Sequence, residues 1–284
     1  MNILTVDLEE WFHIDFDKEF LSGANKFDKH EVRIKENLKK LLALFSAKDV
    51  KATFFCLGVI AKKHPELIRE IYAEGHDIGC HSYSHMLVSN MNPEEFQKDT
   101  HEALEVISNI TGKAVKSYRA PCFSITQDCS WAFDILFSNG IEIDCSIFPT
   151  NRENGGYIGM PNTESFIIQT EAGNELIEFP VHLLNFFGKK ICYSGGGYFR
   201  LLPYEIIKRL FKKSKYNMFY IHPRDLDPEQ PILEGLSFSR KFKSYYGLSE
   251  CEEKLARLLT DFSFVSVDHA SMNFDKDSAL LYQI

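Results

Sequence analysis

Gly-His-Asp-Ile-Gly-Cys-His-Ser-Tyr-Ser-His, residues 75–85, is the stretch around which the chain is organised, because it places two histidines four residues apart. Positions i and i+4 lie on one face of a helical turn, so the spacing predicts that the side chains of His81 and His85 project together. Two imidazoles placed in this way can share one metal ion, and imidazole suits Zn²⁺ and its first-row neighbours. The pair alone is modest support for a metal site, so the other ligands have to come from elsewhere in the chain.

The composition indicates a globular chain without a nucleic-acid partner. The chain has 284 residues, of which 44% are hydrophobic and 25% charged, and no linker or composition shift divides residues 1–284. Its net charge of −8 argues against phosphate-rich partners, which need clustered lysine and arginine. No apolar run reaches the length of a membrane span and the first residues lack a basic signal-peptide start, so we expect a cytoplasmic protein. Seven cysteines without a Cys-x-x-Cys pair predict reduced thiols.

Hydrophobic patterning predicts alternating strands and helices. Short apolar runs typical of buried strands alternate with amphipathic segments whose apolar residues recur at helical spacing. This alternation predicts a parallel α/β architecture, either a closed barrel or an open doubly wound sheet. The predicted strands cover residues 3–8, 51–57, 76–81, 115–119, 141–145, 176–181, 217–221 and 262–267, and the predicted helices 31–45, 65–73, 93–110, 126–137, 203 onward and 249–259.

Polar residues follow four of these apolar runs at the point where each strand ends. In parallel α/β folds the carboxyl ends of the strands converge on one site, so we expect these side chains to lie together. They would supply two imidazoles, a carboxylate ligand, a spare carboxylate, a guanidinium and a spare imidazole. That set suits metal-assisted hydrolysis with a general base and a general acid. The residues are Asp7 and Glu9, His81 and His85, Arg119, and His222.

Eight short motifs occur in order along nearly the whole chain. They are Thr-Val-Asp-Leu-Glu-Glu at 5–10, Ala-Thr-Phe-Phe at 52–55, Gly-His-Asp-Ile at 75–78, His-Ser-Tyr-Ser-His at 81–85, Tyr-Arg-Ala-Pro at 118–121, Glu-Phe-Pro at 178–180, Gly-Gly-Gly-Tyr-Phe-Arg at 195–200 and Tyr-Ile-His-Pro at 220–223. With them the chain resembles the NodB-type polysaccharide deacetylases, carbohydrate esterase family four, and most closely the subgroup associated with exopolysaccharide loci. The resemblance implies a single catalytic domain over residues 1–284, folded as a distorted (β/α) barrel of about seven parallel strands.

The resemblance also implies catalytic roles for matching positions. Asp7 matches the base that takes a proton from the attacking water, and Arg119 the arginine that keeps this base ionised. The backbone N–H of Cys122 stands where the family polarises the amide oxygen. His222 matches the general acid that protonates the leaving amine. The carboxylate that tunes His222 is not apparent from the motifs, and Glu178 is a candidate.

The metal ligands depart from the family pattern at one position. His81 and His85 match the two metal-binding histidines, but Leu8 stands where many members have a second aspartate as third ligand. Because residues i and i+2 of a strand share a face, we expect Glu9 to be the third ligand. The alternatives are that Asp7 completes the site, or that metal binds weakly or not at all. The expected metal is Zn²⁺, with Co²⁺, Ni²⁺ or Fe²⁺ also compatible.

Four aromatic residues are candidates for stacking on sugar rings, with core packing an equal alternative for each: Trp11, Tyr83, Phe123 and Tyr198. The expected activity is hydrolysis of the N-acetyl group of an N-acetylated sugar or polysaccharide precursor, with release of acetate. One alternative is a related metal-dependent amidohydrolase that acts on a small cyclic amide or ureide. Another, motivated by Leu8, is an inactive carbohydrate-binding protein.

Overall fold

A mixed β-sheet forms the centre of the protein in the computed structural model, which describes residues 1–14, 30–161, 164–186 and 189–284. Within these ranges the sheet has nine strands in the order β10-β1-β2-β3-β4-β5-β7-β6-β11, and a separate hairpin pairs β8 with β9. The strands are β1 Asn2–Leu8, β2 Thr53–Cys56, β3 Asp77–Cys80, β4 Ser117–Tyr118, β5 Ile143–Asp144, β6 Phe166–Gln169, β7 Glu175–Glu178, β8 Leu183–Phe186, β9 Lys189–Cys192, β10 Asn217–Ile221 and β11 Leu281–Gln283.

Seven consecutive strands of the described sheet, from β10 through β1 to β7, run parallel, which confirms the predicted strand number. β6 then pairs antiparallel to β7. The β8–β9 hairpin links the two ends of the parallel part: before it, the N–H of Val181 donates to Ile147 at 2.9 Å, and after it the N–H of Tyr220 donates to Ser194 at 3.1 Å. The sheet therefore curls into the distorted barrel that the sequence predicts.

Helices cover the sheet because both of its faces are apolar, as is usual for parallel strands. In β1 the side chains of Ile3, Leu4, Val6 and Leu8 are all fully buried. The helices of the described chain are α1 Ile34–Ala47, α2 Gly58–Lys63, α3 Pro65–Ala73, α4 Pro93–Thr111, α5 Ala132–Ser138, α6 Gly196–Leu201, α7 Tyr204–Lys213, α8 Phe238–Tyr245, α9 Cys251–Asp261 and α10 Val267–Met272.

Local sequence signals explain where several helices begin and end. α3 has the predicted bounds, with proline at its first position. α4 begins with a capping box, in which Asn92 accepts from the N–H of Glu95 and the Glu95 side chain accepts from the N–H of Asn92. It ends at Gly112, whose φ of 70° only glycine adopts readily.

Two local predictions are wrong. The strand expected at residues 262–267 is reduced to a single bridge between Val265 and Ile3, because α10 begins directly afterwards at Val267. The helical turn expected at residues 81–85 is a loop, in which Ser82 and His85 have φ values of 69° and 64°. Positive φ values at these two residues are incompatible with a right-handed helix.

Candidate active site

The carboxyl ends of β1, β3 and β10 open into a cavity of about 540 Å³. Its lining includes Asp7 near the end of β1, Glu9 directly after that strand, His85 in the loop after β3, and His222 after β10. The convergence follows from the parallel arrangement, since β1 lies between β10 and β2, and β2 beside β3. The polar residues therefore lie together at this edge of the sheet, as the sequence predicts.

Glu9, His81 and His85 form a compact group of possible metal ligands. The Oε1 atom of Glu9 lies 2.9 Å from Nε2 of His81 and 2.9 Å from Nε2 of His85, and all three side chains are buried. Burial by itself raises the pKa of the Glu9 carboxyl, but the charge of His85 and the hydrogen bonds of both imidazoles outweigh it and hold the pKa well below its usual value. Glu9 therefore offers an anionic oxygen beside two imidazole nitrogens, a set that could hold a metal ion.

The donor set fits a bound cation. Nδ1 of His81 is 2.7 Å from the backbone oxygen of Arg119, and because a carbonyl only accepts, this nitrogen carries the proton. An imidazole that carries its proton on Nδ1 can use Nε2, which lies 2.9 Å from the Glu9 carboxylate, as a metal ligand. A divalent cation could therefore be bound by both side chains, and the His81–carbonyl bond is the usual second-shell support for a metal-bound imidazole.

The loop that carries the two histidines is fixed from outside by α4. The Asp99 carboxylate on that helix accepts from the backbone N–H of Tyr83 at 2.7 Å and from the N–H and hydroxyl of Ser84 at 3.3 and 2.9 Å. Within the loop the N–H of His85 donates to the Ser82 hydroxyl at 3.0 Å. These bonds hold both imidazoles towards Glu9 without a helical turn.

Asp7 is held by a fully buried arginine. Nη1 of Arg119 lies 2.7 Å from Oδ1 of Asp7 and also donates to the Thr5 hydroxyl at 2.8 Å. The guanidinium sits 4.3 Å from the centre of the Phe55 ring. Burial lowers the pKa of Arg119, but the charge of Asp7 outweighs this and raises it, so the guanidinium is charged. Because Oδ1 is occupied, Oδ2 is the oxygen of Asp7 left for chemistry.

His222 faces this free oxygen and is held by a second carboxylate. Its Nε2 lies 3.8 Å from Oδ2 of Asp7, while its Nδ1 is 3.0 Å from Oδ2 of Asp225. Nε of Arg200 is 3.0 Å from Oδ1 of Asp225. Burial lowers the pKa of His222, but the hydrogen bond of Asp225 and the charge of Glu9 outweigh it and raise the pKa to about 9. His222 is therefore a protonated imidazole at neutral pH.

Glu178 is not the partner of His222, so that candidate is wrong. Its carboxyl is fully buried, where it accepts from the N–H of Ile147 and shares a hydrogen bond with Asp144. Burial and the Asp144 charge raise the pKa of Glu178 well above its usual value. The partner of His222 is Asp225, three residues further on. Its carboxylate accepts from the backbone N–H of His222 at 2.9 Å, in a capping box. The His-Pro-Arg-Asp order is a sequence signal from which this contact could have been predicted.

Cys122 lines the cavity beside these groups, as expected from its motif. Cys122 and Phe123 have φ values of 55° and 58°, a conformation that costs free energy in non-glycine residues and tends to occur at functional sites. Burial raises the pKa of the Cys122 thiol to about 12, so the sulfur stays protonated near neutral pH and is no nucleophile. The role expected of its backbone N–H stays a prediction.

The four aromatic candidates divide into two pairs. Phe123 and Tyr198 line the cavity, and Tyr198 is 39% exposed there. Trp11 is buried in the core, where its indole N–H donates to the backbone oxygen of Glu31. Tyr83 packs against Gly58 outside the cavity lining. The positions of Trp11 and Tyr83 argue against stacking on a sugar in this cavity, because neither ring reaches it.

Comparison with protein families identifies the class. Residues 24–133 match the polysaccharide deacetylase family, and residues 145–272 match a domain of unknown function, DUF3473. The match confirms, over residues 24–133, the resemblance to the NodB-type polysaccharide deacetylases that the motifs indicate. One curated relative, a peptidoglycan-N-acetylglucosamine deacetylase of Bacillus cereus, is 36% identical over 99 residues, which are 34% of this chain and 36% of the relative. The match thus spans about a third of that protein.

Solved structures support the same fold. A putative polysaccharide deacetylase from Mycobacterium smegmatis aligns with a TM-score of 0.58 and 16% identity over 99% of this chain and 94% of its own. A pseudoenzyme of carbohydrate esterase family four from Bacillus anthracis aligns with a TM-score of 0.50 and 12% identity over 100% of this chain and 69% of its own. Among the described residues, no helix combines the length and apolarity needed to cross a bilayer.

Proposed function

We propose that this protein is a metal-dependent N-deacetylase, which hydrolyses the acetamide of an N-acetylated carbohydrate to acetate and a free amino sugar. One observation carries the proposal: the Glu9–His81–His85 group lies in the same cavity as a carboxylate held by arginine and an imidazole held by carboxylate. The names of the relatives, which include peptidoglycan and chitin deacetylases, favour an acetylated sugar as substrate.

Asp7 and His222 would have complementary roles in proton transfer, one as acceptor and the other as donor. Asp7 would take a proton from the attacking water through Oδ2, since Arg119 occupies Oδ1. His222, with a pKa raised to about 9 chiefly by Asp225 against the effect of burial, would donate its proton to the leaving amine. A Zn²⁺ ion held by Glu9, His81 and His85, or another first-row divalent metal, would supply Lewis acidity towards the water and the amide oxygen.

The unusual Leu8 does not remove a ligand from this arrangement. Its side chain is fully buried in the hydrophobic core, on the other face of β1 from the cavity. Glu9, one residue further on, supplies the carboxylate instead. The longer glutamate side chain can reach the two imidazoles from the residue after the strand end. This observation favours an enzyme over an inactive carbohydrate-binding protein.

The test combines zinc binding with acetate release. Wild type, Glu9→Gln and Glu10→Gln would be loaded with Zn²⁺, desalted and measured for bound zinc, and then incubated with N-acetylglucosamine oligomers, peptidoglycan fragments and a nucleotide-linked N-acetyl sugar. Glu10 is the matched control because it is also buried but accepts from the N–H groups of Arg33 and Ile34. We expect about one zinc ion per chain in wild type and Glu10→Gln, and at least a tenfold weaker affinity in Glu9→Gln.

Each outcome bears on a different part of the proposal. Acetate release by wild type and Glu10→Gln, with loss in Glu9→Gln, supports both the activity and the ligand set. Undiminished zinc in Glu9→Gln would exclude Glu9 as a ligand. A zinc-loaded wild type that binds N-acetylated sugars but releases no acetate from any of them would overturn the enzymatic proposal in favour of a carbohydrate-binding protein.

A further inference from the structure

Arg152 is a cation of the catalytic cavity that the proposed chemistry does not use. It lines the cavity with its guanidinium 4.3 Å from the ring centre of Phe148 and 5.2 Å from that of Phe123. Its Nη1 atom is buried and has no hydrogen-bond partner among the residues that the structure describes. The aromatic contacts hold the guanidinium through its faces, so they leave its N–H donors free.

Backbone contacts hold the loop around Arg152 in place. The N–H of Arg152 donates to the backbone oxygen of Gly155 at 3.0 Å, and the N–H of Gly156 donates to that of Phe123 at 2.8 Å. A Cβ atom at Gly155 would lie 2.3 Å from the Phe123 oxygen, and one at Gly156 would lie 2.0 Å from the Thr150 oxygen. Gly155 therefore allows the loop to lie against the Phe123 backbone, and Gly156 allows the loop to close on Thr150.

Other arginines around the cavity are bound within the protein. The guanidinium of Arg119 is bound to Asp7, and that of Arg200 to Asp225 and to the backbone oxygens of residues 243, 244 and 246. Arg224 donates to Gln230 and to the Ser244 backbone. On α8, Arg240 donates to the backbone oxygen of Ile14. The Nη1 atom of Arg152 differs from these groups because it is buried and has no hydrogen-bond acceptor within the part of the chain that the structure describes. A bound ligand could supply that acceptor.

We propose that Arg152 binds an anionic group of the substrate, a carboxylate or phosphoryl oxygen carried by the N-acetylated sugar or by the unit next to it. A buried guanidinium N–H without an acceptor costs free energy, which an anionic oxygen recovers through a charge-assisted hydrogen bond. The inference rests on the proposed deacetylase function and adds the substrate class. In a chain of net charge −8, a local cation is needed to attract an acidic carbohydrate.

The test compares binding of acidic and neutral substrates by calorimetry on the zinc-loaded protein. The probes are a hyaluronan tetrasaccharide, in which N-acetylglucosamine alternates with a uronic acid; UDP-N-acetylglucosamine, which carries a diphosphate; and the neutral tetra-N-acetylchitotetraose. Wild type would be compared with Arg152→Gln and Arg152→Lys. Arg257→Gln is the matched control, because Arg257 also packs over an aromatic ring, 4.0 Å from the centre of Tyr204, but lies outside the cavity.

We expect at least one acidic probe to bind wild type and Arg257→Gln about tenfold or more tightly than the neutral probe. Arg152→Gln should lose that difference while its affinity for the neutral tetrasaccharide stays within twofold, and Arg152→Lys should retain part of it. The carboxylate and phosphoryl sources are distinguished by which acidic probe shows the effect. Unfolding midpoints of all variants would confirm that they fold.

Three results would overturn the inference. They are equal binding of acidic and neutral probes by wild type, unchanged selectivity in Arg152→Gln, and an equal loss of affinity for all three probes in that variant. If acetate release is measured as well, a fall in kcat on the neutral substrate would mean that Arg152 acts on the reacting amide instead. Failure of the deacetylase proposal would look different: selective binding of an acidic probe would persist without any acetate.

Discussion

Individual side chains in the cavity are distinguished by their partners. Asp7 and Asp225 are both buried aspartates near His222, yet Asp7 is bound by Arg119 and Asp225 by Arg200 and the His222 ring. The first arrangement leaves one carboxylate oxygen facing the cavity. The second uses the carboxylate to hold a proton on His222. In the proposed mechanism the same residue type therefore serves as base in one position and as support for the acid in the other.

Replacing Asp225 with asparagine tests this division of roles. Burial lowers the pKa of His222 and Asp225 is the strongest of the influences that raise it to about 9, so removing the charge should lower that pKa. The proton needed by the leaving amine is then lost at a lower pH. We expect the falling alkaline limb of the kcat–pH profile to move down by about one unit, which would about halve kcat at pH 8 and reduce it about fivefold at pH 9.

The control for this variant is Asp227→Asn, two residues further on. Asp227 is also buried, but it binds Arg33 and Asn37 outside the cavity lining. Its replacement should leave the pH profile unchanged, and both variants should keep the zinc content of wild type. An Asp225→Asn profile that coincides with that of wild type would show that Asp225 does not hold the proton on His222.

Secondary-structure elements differ in how far the sequence could predict them. β1 and β10 are buried and mostly apolar segments that lead into the candidate site, and both were predictable from their patterns. β8 and β9 were not, because each has four residues, too few to show a strong period in the sequence. The loop conformation at residues 81–85 was also unpredictable, since it depends on bonds from Asp99 in α4, a residue distant in sequence. Long-range side-chain partners of this kind leave no local pattern.

The hydrogen bonds from Asp99 connect α4 to the proposed metal site. Asp99 is largely buried and accepts three hydrogen bonds from Tyr83 and Ser84, between the two histidines. Asp99→Ala would leave these donors unpaired and let the loop relax, although Asp99 touches no metal ligand atom. We expect zinc affinity, measured by competition with a chromogenic chelator, to fall about 10–100-fold.

Glu102→Ala is the matched control on the same helix. Glu102 is exposed and pairs with Lys62 at 3.4 Å, a surface contact worth little. We expect it to bind zinc as wild type does. If Asp99→Ala folds normally and also binds zinc as wild type does, the histidine loop holds its shape by itself and α4 only packs against it.

The whole molecule joins two regions that family comparison separates. His81, His85 and Arg119 lie in the polysaccharide deacetylase region, whereas Arg152 and His222 lie in the region of unknown function. The sheet continues across this division, because β10 pairs with β1 over five residue pairs and β5 pairs with both β4 and β7. The second region therefore supplies a wall of the cavity and His222, the proposed general acid, so the proposed site draws on both regions.

Metal binding should accordingly stabilise the fold as a unit. Glu9 follows β1 while both histidines follow β3, so a cation among them would tie together strands that β2 separates. A ligand that binds only the folded state at about 100 times its Kd adds about 2.7 kcal/mol to the free energy of unfolding. For a chain of this size we expect Zn²⁺ to raise Tm by about 5–10 °C.

The measurement is a thermal melt followed by circular dichroism, with excess EDTA or with Zn²⁺, on wild type and Glu9→Gln. Wild type should show the shift and Glu9→Gln should lose it, because the variant lacks the anionic ligand that offsets the cation's charge. Adding Mg²⁺ instead should give little shift, since two imidazole nitrogens suit zinc rather than a hard cation. A wild-type Tm that is the same with EDTA and with Zn²⁺ would mean that Glu9, His81 and His85 do not bind the metal in the folded protein.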